Sequence, residues 1–506
     1  MLLPTAAALL VSLLPGTIGQ ETLNNPVVYE DFADNDVFRG PDDVYYFSAS
    51  NMHYSPGAPI LRSEDLGNWE VIAHSAPSLS WSPKYNMTDG ETGYIGGTWA
   101  STMRYRESTG LWHWMGCIDF WISYTQESAI ESCYYDSGLF IDDDDTLYIV
   151  HDNTNVSMTQ LSEDGMSPVK TQQIITTPEG FQGLEGNRMY KRNETYYILN
   201  DSPGSATLIW KSESPWGPWE YKVLGDNVPS PVDGGGAPHQ GSLVETQNGD
   251  WYFMSFTWAY PAGRMPVLAP ITWGSDGFPK LTLVDGEWGA SYPNPLPVSE
   301  TPSWTGTDKF AGTSLGPDWE WNHNADPAGY KVDDGLTLST VTVTDDFYHA
   351  RNTLTHRIHG PQPVGTVEID ITDMADGDHC GLAALRDQSA LLAVIRNGTD
   401  FSINAIHNLT QDGNNGWATI NTGTSVASEP ISETKLWLRA NIDARATGTK
   451  EGTFEYSIDG TEFTELGGPY SLNDEWNFFM GYRYGIFNYA TKELGGSIQV
   501  TSFTSE

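Results

Sequence analysis

The chain has 506 residues, with 25 Lys and Arg against 66 Asp and Glu and a formal net charge of −41. That balance excludes a nucleic-acid partner, which needs a basic face against phosphate, and opposes docking on an anionic membrane. Hydrophobic residues at 39% and aromatic residues at 12% can fill a large core, and the length allows two domains.

The chain opens on an apolar run from Leu9 to Leu14, then Pro15 and small residues to Gly19. Residues 1–20 read as a secretory signal, too short to span a bilayer, so a secreted, extracellular protein is expected. No basic residue precedes the run. Six Asn-x-Ser/Thr sites begin at Asn86, Asn155, Asn193, Asn200, Asn397 and Asn408, and in a secreted eukaryotic chain several would carry glycan. Three Cys exclude a disulfide-dense scaffold and a Cys-x-x-Cys zinc site. Cys117 and Cys133 could pair or stay free, and Cys380 is left over.

No segment sustains a helical period. Short aromatic and β-branched runs recur instead, at Asp43–Phe47, Thr146–Val150, Thr195–Leu199 and Asp250–Met254, each after a turn-like cluster of Asp, Gly or Asn. Their spacing suits four-stranded sheets repeated around an axis, although a β-sandwich would also fit. Residues 21–290 are assigned to this all-β unit. From Ser291 to Trp304 the Pro-rich Ser291-Tyr292-Pro293-Asn294-Pro295 stretch reads as a stiff linker. Residues 305–506 alternate in short strands, as in Gly365-Thr366-Val367-Glu368-Ile369-Asp370-Ile371, and suggest a β-sandwich.

Three acidic segments could do chemistry. They are Tyr29 to Val37 with Asp34, Tyr134 to Asp145 with Asp136, and Gly183 to Lys191 with Glu185. Glycoside hydrolysis needs one carboxylic acid to protonate the leaving oxygen and a second carboxylate to activate water or attack the sugar. A third acid nearby raises the pKa of the first by like-charge repulsion. Among 66 acids most are solvated turn residues, and Asp142 to Asp145 read as a charged turn.

These segments resemble motifs of glycoside hydrolase family 43. The first resembles Asp-Phe-Pro-Asp-Pro-x-Val and the second Ile-Asp-Pro-x-Leu-Phe-x-Asp-Asp-Asp-Gly. The third resembles Glu-Gly-Pro-x-x-Tyr-Lys. The stretches Gly96–Tyr105, Gly235–Gly241 and Gly263–Trp273 match further motifs in family order. Asn35, Ser137 and Asn187 stand where the family carries proline, which alters turn stiffness and leaves the carboxylates. The second half resembles the sandwich of one branch at Asp308-Lys309-Phe310, Trp319–Asn324 and Gly481–Phe487. The resemblance implies a five-bladed β-propeller followed by a concanavalin-like β-sandwich.

It further implies Asp34 as general base, Asp136 as modulator of the acid's pKa and Glu185 as general acid, acting with inversion. An inverting pair stands roughly 6.5–9.5 Å apart. Arg264 is expected to bind substrate near the acid, Trp99 to wall the pocket, and Tyr54 and Tyr135 to contact sugar. His239 is expected on the propeller axis beside a structural calcium ion or water, with no catalytic cofactor. The segments look most like secreted fungal α-L-arabinofuranosidases that trim arabinoxylan, acting as monomers on plant cell-wall polysaccharide. The aromatic loops at Trp112–Trp114 and Phe120–Trp121 could line a groove or pack inside a blade. The alternatives are a β-xylosidase, an invertase-type propeller, whose Arg-Asp-Pro motif is missing here, and a non-catalytic sugar-binding propeller.

Overall fold

Each aromatic run in the first half becomes the second strand of a four-stranded antiparallel sheet. The computed structural model describes residues 22–88, 90–118, 122–125, 128–130 and 133–506; the expected signal segment and the Phe120–Trp121 pair lie outside them. Sheet I contains Asp36–Arg39, Tyr45–Ser48, Gly57–Ser63 and Glu70–Ala76. Sheet II contains Thr98–Arg106, Leu111–Ile118, Ile122–Thr125 and Ser128–Ile130, and sheet III Gly138–Ile141, Leu147–His151, Val156–Leu161 and Pro168–Ile175. Sheet IV contains Glu185–Arg192, Thr195–Ser202, Ala206–Ser212 and Glu220–Asp226. Sheet V contains Gly241–Glu245, Trp251–Trp258, Arg264–Trp273 and Pro279–Leu281. The arrangement is propeller-like, with first strands of adjacent sheets packed on one another. Sheets I, III, IV and V are described throughout; sheet II is described in part.

Burial explains the sequence texture. The middle strand Leu147–His151 is buried at every residue, because neighbouring sheets cover both its faces. It therefore reads as a continuous apolar run rather than an alternating one. The outer strand Pro168–Ile175 is exposed over most of its length and reads as polar coil.

The stretch expected as a linker starts by forming a strand. Ser291–Pro293 pairs antiparallel with Thr22–Asn24 and ties the two ends of the propeller together. Beyond it, two eight-stranded sheets form the sandwich, with Val367, Ile369, Leu392, Val394, Leu436 and Leu438 in its buried core. One sandwich sheet is completed by a strand from the other half: Tyr54–Ser55 pairs with Trp321–Asn322.

A buried polar cluster reinforces that junction. Glu320 accepts from Arg357, 2.9 Å away, and from Arg483, and lies 2.7 Å from His74 of sheet I. Arg357 and Arg483 also both donate to Asn51 of the propeller, at 2.7 and 3.0 Å. Gly481 is required by contact: a Cβ there would lie 1.9 Å from the Ala262 carbonyl oxygen. Cys117 and Cys133 form a disulfide, and Cys380 is free and buried. Among the described residues no helix is long and apolar enough to cross a membrane.

Candidate active site

The three acids lie at equivalent places in their sheets. Asp34 and Asp136 stand two residues before the first strands of sheets I and III, and Glu185 opens the first strand of sheet IV. Asp34 and Asp136 hold positive φ, +57° and +45°, a region in which Asp is among the few tolerated side chains. The ring of first strands thus brings carboxylates far apart in sequence to one end of the axis.

Asp136 is buried and accepts from the Gly186 N–H and the Gln240 amide, both at 3.1 Å. Burial first, and then the charge of Asp34, raise its pKa to about 7. Glu185 accepts from the Tyr135 hydroxyl at 3.4 Å. Its pKa is raised to about 8, mainly by burial, then by Asp136 and Asp34. A carboxyl group that keeps its proton near neutrality is what a general acid requires.

Asp34 sits in a different environment. It accepts from Ser50 Oγ at 2.5 Å and from Arg264 Nη1 at 2.8 Å. Arg264 is therefore the partner of the expected base, and it also lies near enough to Glu185 for its charge to pull that acid's pKa down. It is buried, and its Nη2 has no protein partner. Arg188 lies underneath, donating to the backbone oxygens of Asp34, Asn35, Ser137 and Asn187. It thereby fastens the starts of sheets I, III and IV to one another.

The expectation for Tyr54 needs correction. Tyr54 is fully buried, with Arg483 stacked 3.5 Å from its ring centre, because its segment is a strand of the sandwich sheet. It has no face for a sugar. Trp99 is buried and packs edge-on against Phe479 of the sandwich, 5.2 Å between ring centres. Trp112 packs one side on Tyr46 and Phe38 and stays 43% exposed, while Trp114 is buried, so the stretch is part packing and part surface. Asn200 is buried and donates to Asn187 Oδ1 at 2.5 Å, which leaves its glycosylation motif without an accessible amide.

The motifs missed three contributors. Phe479 accepts from Arg264 Nε at 3.1 Å and from the Tyr260 hydroxyl at 2.9 Å through its carbonyl, so the sandwich holds the site's arginine. Trp476 is 52% exposed and stands 5.8 Å from Trp258. Asp201 is fully buried directly across the strand pair from Glu185. Asp201 lies just beyond the apolar run Thr195–Leu199 and outside the three acidic segments, which hid it.

Residues 23–279 match the glycosyl hydrolases family 43, and residues 307–506 match the beta xylosidase C-terminal concanavalin A-like domain. The chain belongs to family 43. It is a glycoside hydrolase with a concanavalin-like second domain. A solved family 43 enzyme, engineered to display both endo-xylanase and exo-arabinofuranosidase activity, superposes with a TM-score of 0.92 at 38% identity. That match covers 96% of this chain and all of the other. A beta-xylosidase of Formosa agariphila is 25% identical over 97% of this chain and 91% of its own length. The non-reducing end alpha-L-arabinofuranosidase BoGH43B of Bacteroides ovatus is 26% identical over 61% and 62%. Most named relatives are bacterial beta-xylosidases, so they do not carry the expected affinity to fungal arabinofuranosidases.

His239 is buried, with Nδ1 2.8 Å from the Ala237 carbonyl oxygen and Nε2 3.9 Å from Asp201 Oδ2. Among the described residues no group of three or more His, Cys, Asp or Glu is placed to hold a metal ion. The pair His239 and Asp201 nonetheless fits a cation, because both Asp201 oxygens are buried without a hydrogen-bond partner.

Replacing Asp136 with Asn should move the alkaline limb of the kcat profile to lower pH. Removing that negative charge lets Glu185 lose its proton earlier. A kcat–pH profile identical to wild type would show that Asp136 does not tune the acid.

Proposed function

We propose that this enzyme is an inverting, exo-acting α-L-arabinofuranosidase that trims side chains from arabinoxylan, including doubly substituted xylose. It is further taken to be secreted and monomeric. The propeller is read as five-bladed, the partly described sheet II counting as one blade.

In the proposed mechanism Asp34, oriented by Ser50 and Arg264, draws a proton from a water molecule. That water attacks the anomeric carbon from the face opposite the leaving group. Glu185 gives its proton to the departing xylan oxygen as the glycosidic bond breaks, and Asp136 keeps Glu185 protonated until then. Free arabinose leaves with inverted configuration, and the xylan regains a hydroxyl group. Tyr135, within reach of Glu185, and Arg264 Nη2 are positioned to bond sugar hydroxyls. His239 would hold a structural calcium ion whose charge offsets the acids. No step of the reaction runs through it.

The observation that carries the choice of substrate is the sandwich-supplied ridge of Trp476 and Phe479. A half-exposed indole beside the site offers a stacking surface to a xylan chain. A pocket that accepts only a terminal xylose needs no such surface. The 38%-identical solved neighbour with exo-arabinofuranosidase activity agrees with this reading. The second reading, a β-xylosidase, is favoured by the names of the curated relatives.

Product analysis on wheat arabinoxylan separates the two. Free arabinose with the xylan backbone intact, and slow action on xylobiose, is the expected result. Faster cleavage of xylobiose than debranching would establish the β-xylosidase reading in its place.

A further inference from the structure

Asp31 lies buried three residues before Asp34. Both of its carboxylate oxygens accept backbone N–H groups, and the two donors come from different domains. Oδ1 accepts from the Arg264 N–H at 2.7 Å, and Oδ2 accepts from the Gly481 N–H of the sandwich at 3.1 Å. Gly263 permits the approach. It holds φ +115°, and a Cβ there would lie 2.6 Å from Asp31 Oδ1.

The backbone at Asp31 is fixed from the same two sides. The Phe32 N–H donates to the Arg264 carbonyl at 3.0 Å, so Asp31-Phe32 and Arg264 exchange a reciprocal pair of bonds. From the sandwich, Arg357 Nε donates to the Asp31 carbonyl at 3.2 Å. The Arg264 side chain then reaches both partners at once. Its Nε donates to the carbonyl of Phe479, two residues before Gly481, and its Nη1 donates to Asp34. Phe479 holds φ +62°, a conformation that a bulky residue keeps only where its surroundings enforce it.

We infer that Asp31 is a positioning residue for the general base. It clamps the Arg264 backbone and the sandwich turn Phe479–Gly481 to one another, and the guanidinium so held orients Asp34. The inference rests on the reading of Asp34 as base. It makes the sandwich a working part of the catalytic centre, because one side of the clamp belongs to it. Asp31 acts through Arg264. A residue that only held the fold together would lower stability and leave the pH dependence of the reaction as it was.

Asp31→Asn keeps the shape of the side chain but retains one acceptor oxygen, so one of the two backbone bonds is lost. Kinetics across pH test the inference, on whichever of arabinoxylan and xylobiose the wild-type protein cleaves faster. Asp31→Asn is expected to lower kcat/KM by about 10- to 100-fold, the cost of a small misplacement of a reacting group. The acidic limb of kcat/KM should move up by about one pH unit, since a base that loses its arginine takes up a proton more readily. In an Arg264→Met background the same substitution should cost no more than about a further twofold, because its effect runs through the arginine. Asp34→Asn, measured alongside, should lose at least about 100-fold. Near wild-type rates in Asp34→Asn would overturn the base reading and the inference with it. With Asp34→Asn inactive, an unmoved acidic limb in Asp31→Asn, or an equal loss with and without Arg264, would overturn the inference alone. Should Asp31→Asn fail to fold, Tyr260→Phe decides, since it removes only a hydroxyl from the Phe479 carbonyl. A rise of its acidic limb supports the clamp, and a wild-type profile overturns it.

Discussion

Glu185→Gln is expected to lower kcat on arabinoxylan by about 10²–10⁴-fold, the range for loss of a general acid. KM should change little, because the amide keeps the shape of the side chain. The loss should shrink sharply on an aryl arabinofuranoside whose leaving group needs no proton. The same variant should be more stable than wild type at alkaline pH. The folded pKa of Glu185 is raised to about 8 from an ordinary 4.5. The stability linked to a raised acid is present below its ordinary pKa and lost as pH rises through the folded value. The wild-type protein therefore loses stability between about pH 4.5 and 8, and the Gln variant should lose less. Kinetics on both substrates and Tm from pH 4 to 9 check this. An equal loss of kcat on both substrates would remove Glu185 from the acid role.

Glu320→Gln is expected to cost about 3–5 kcal/mol of stability, the usual penalty for breaking a buried ion pair by removing one partner. Arg357 and Arg483 would both remain buried without their carboxylate. Burial opposes ionisation of Glu320, but the two arginines prevail and hold its pKa well below the ordinary range. Because Asn51 and His74 come from the propeller and the arginines from the sandwich, the loss should lower one shared unfolding transition. The site pairs none of these residues with substrate, so the shape of the kcat–pH profile should be retained. Calorimetry of the variant checks the cost; an unchanged Tm would mean that the junction is held by apolar contact alone.

The sequence showed the second strands of sheets I, III, IV and V because those strands are covered on both faces. The outer strands face water and carry no comparable signal. The three candidate acids were legible because each lies in a short motif at the start of a first strand. Asp201 was not legible, since its partner Glu185 is set by strand register and not by spacing. Tyr54 was misjudged for the same kind of reason. An aromatic residue in a Pro- and Gly-containing loop reads as exposed, and the strand that covers it, Trp321–Asn322, lies more than 260 residues further on. Phe479 and Arg264 meet across 215 residues, a contact that only the packing of the sandwich on the propeller creates.

The central claim is that Asp34 and Glu185 act as base and acid on a terminal arabinofuranose with inversion. Proton NMR of arabinoxylan during the first minutes of hydrolysis tests it most directly. β-L-Arabinofuranose appearing first, before mutarotation, is the result predicted. First appearance of the α-anomer would show a retaining enzyme and contradict the account.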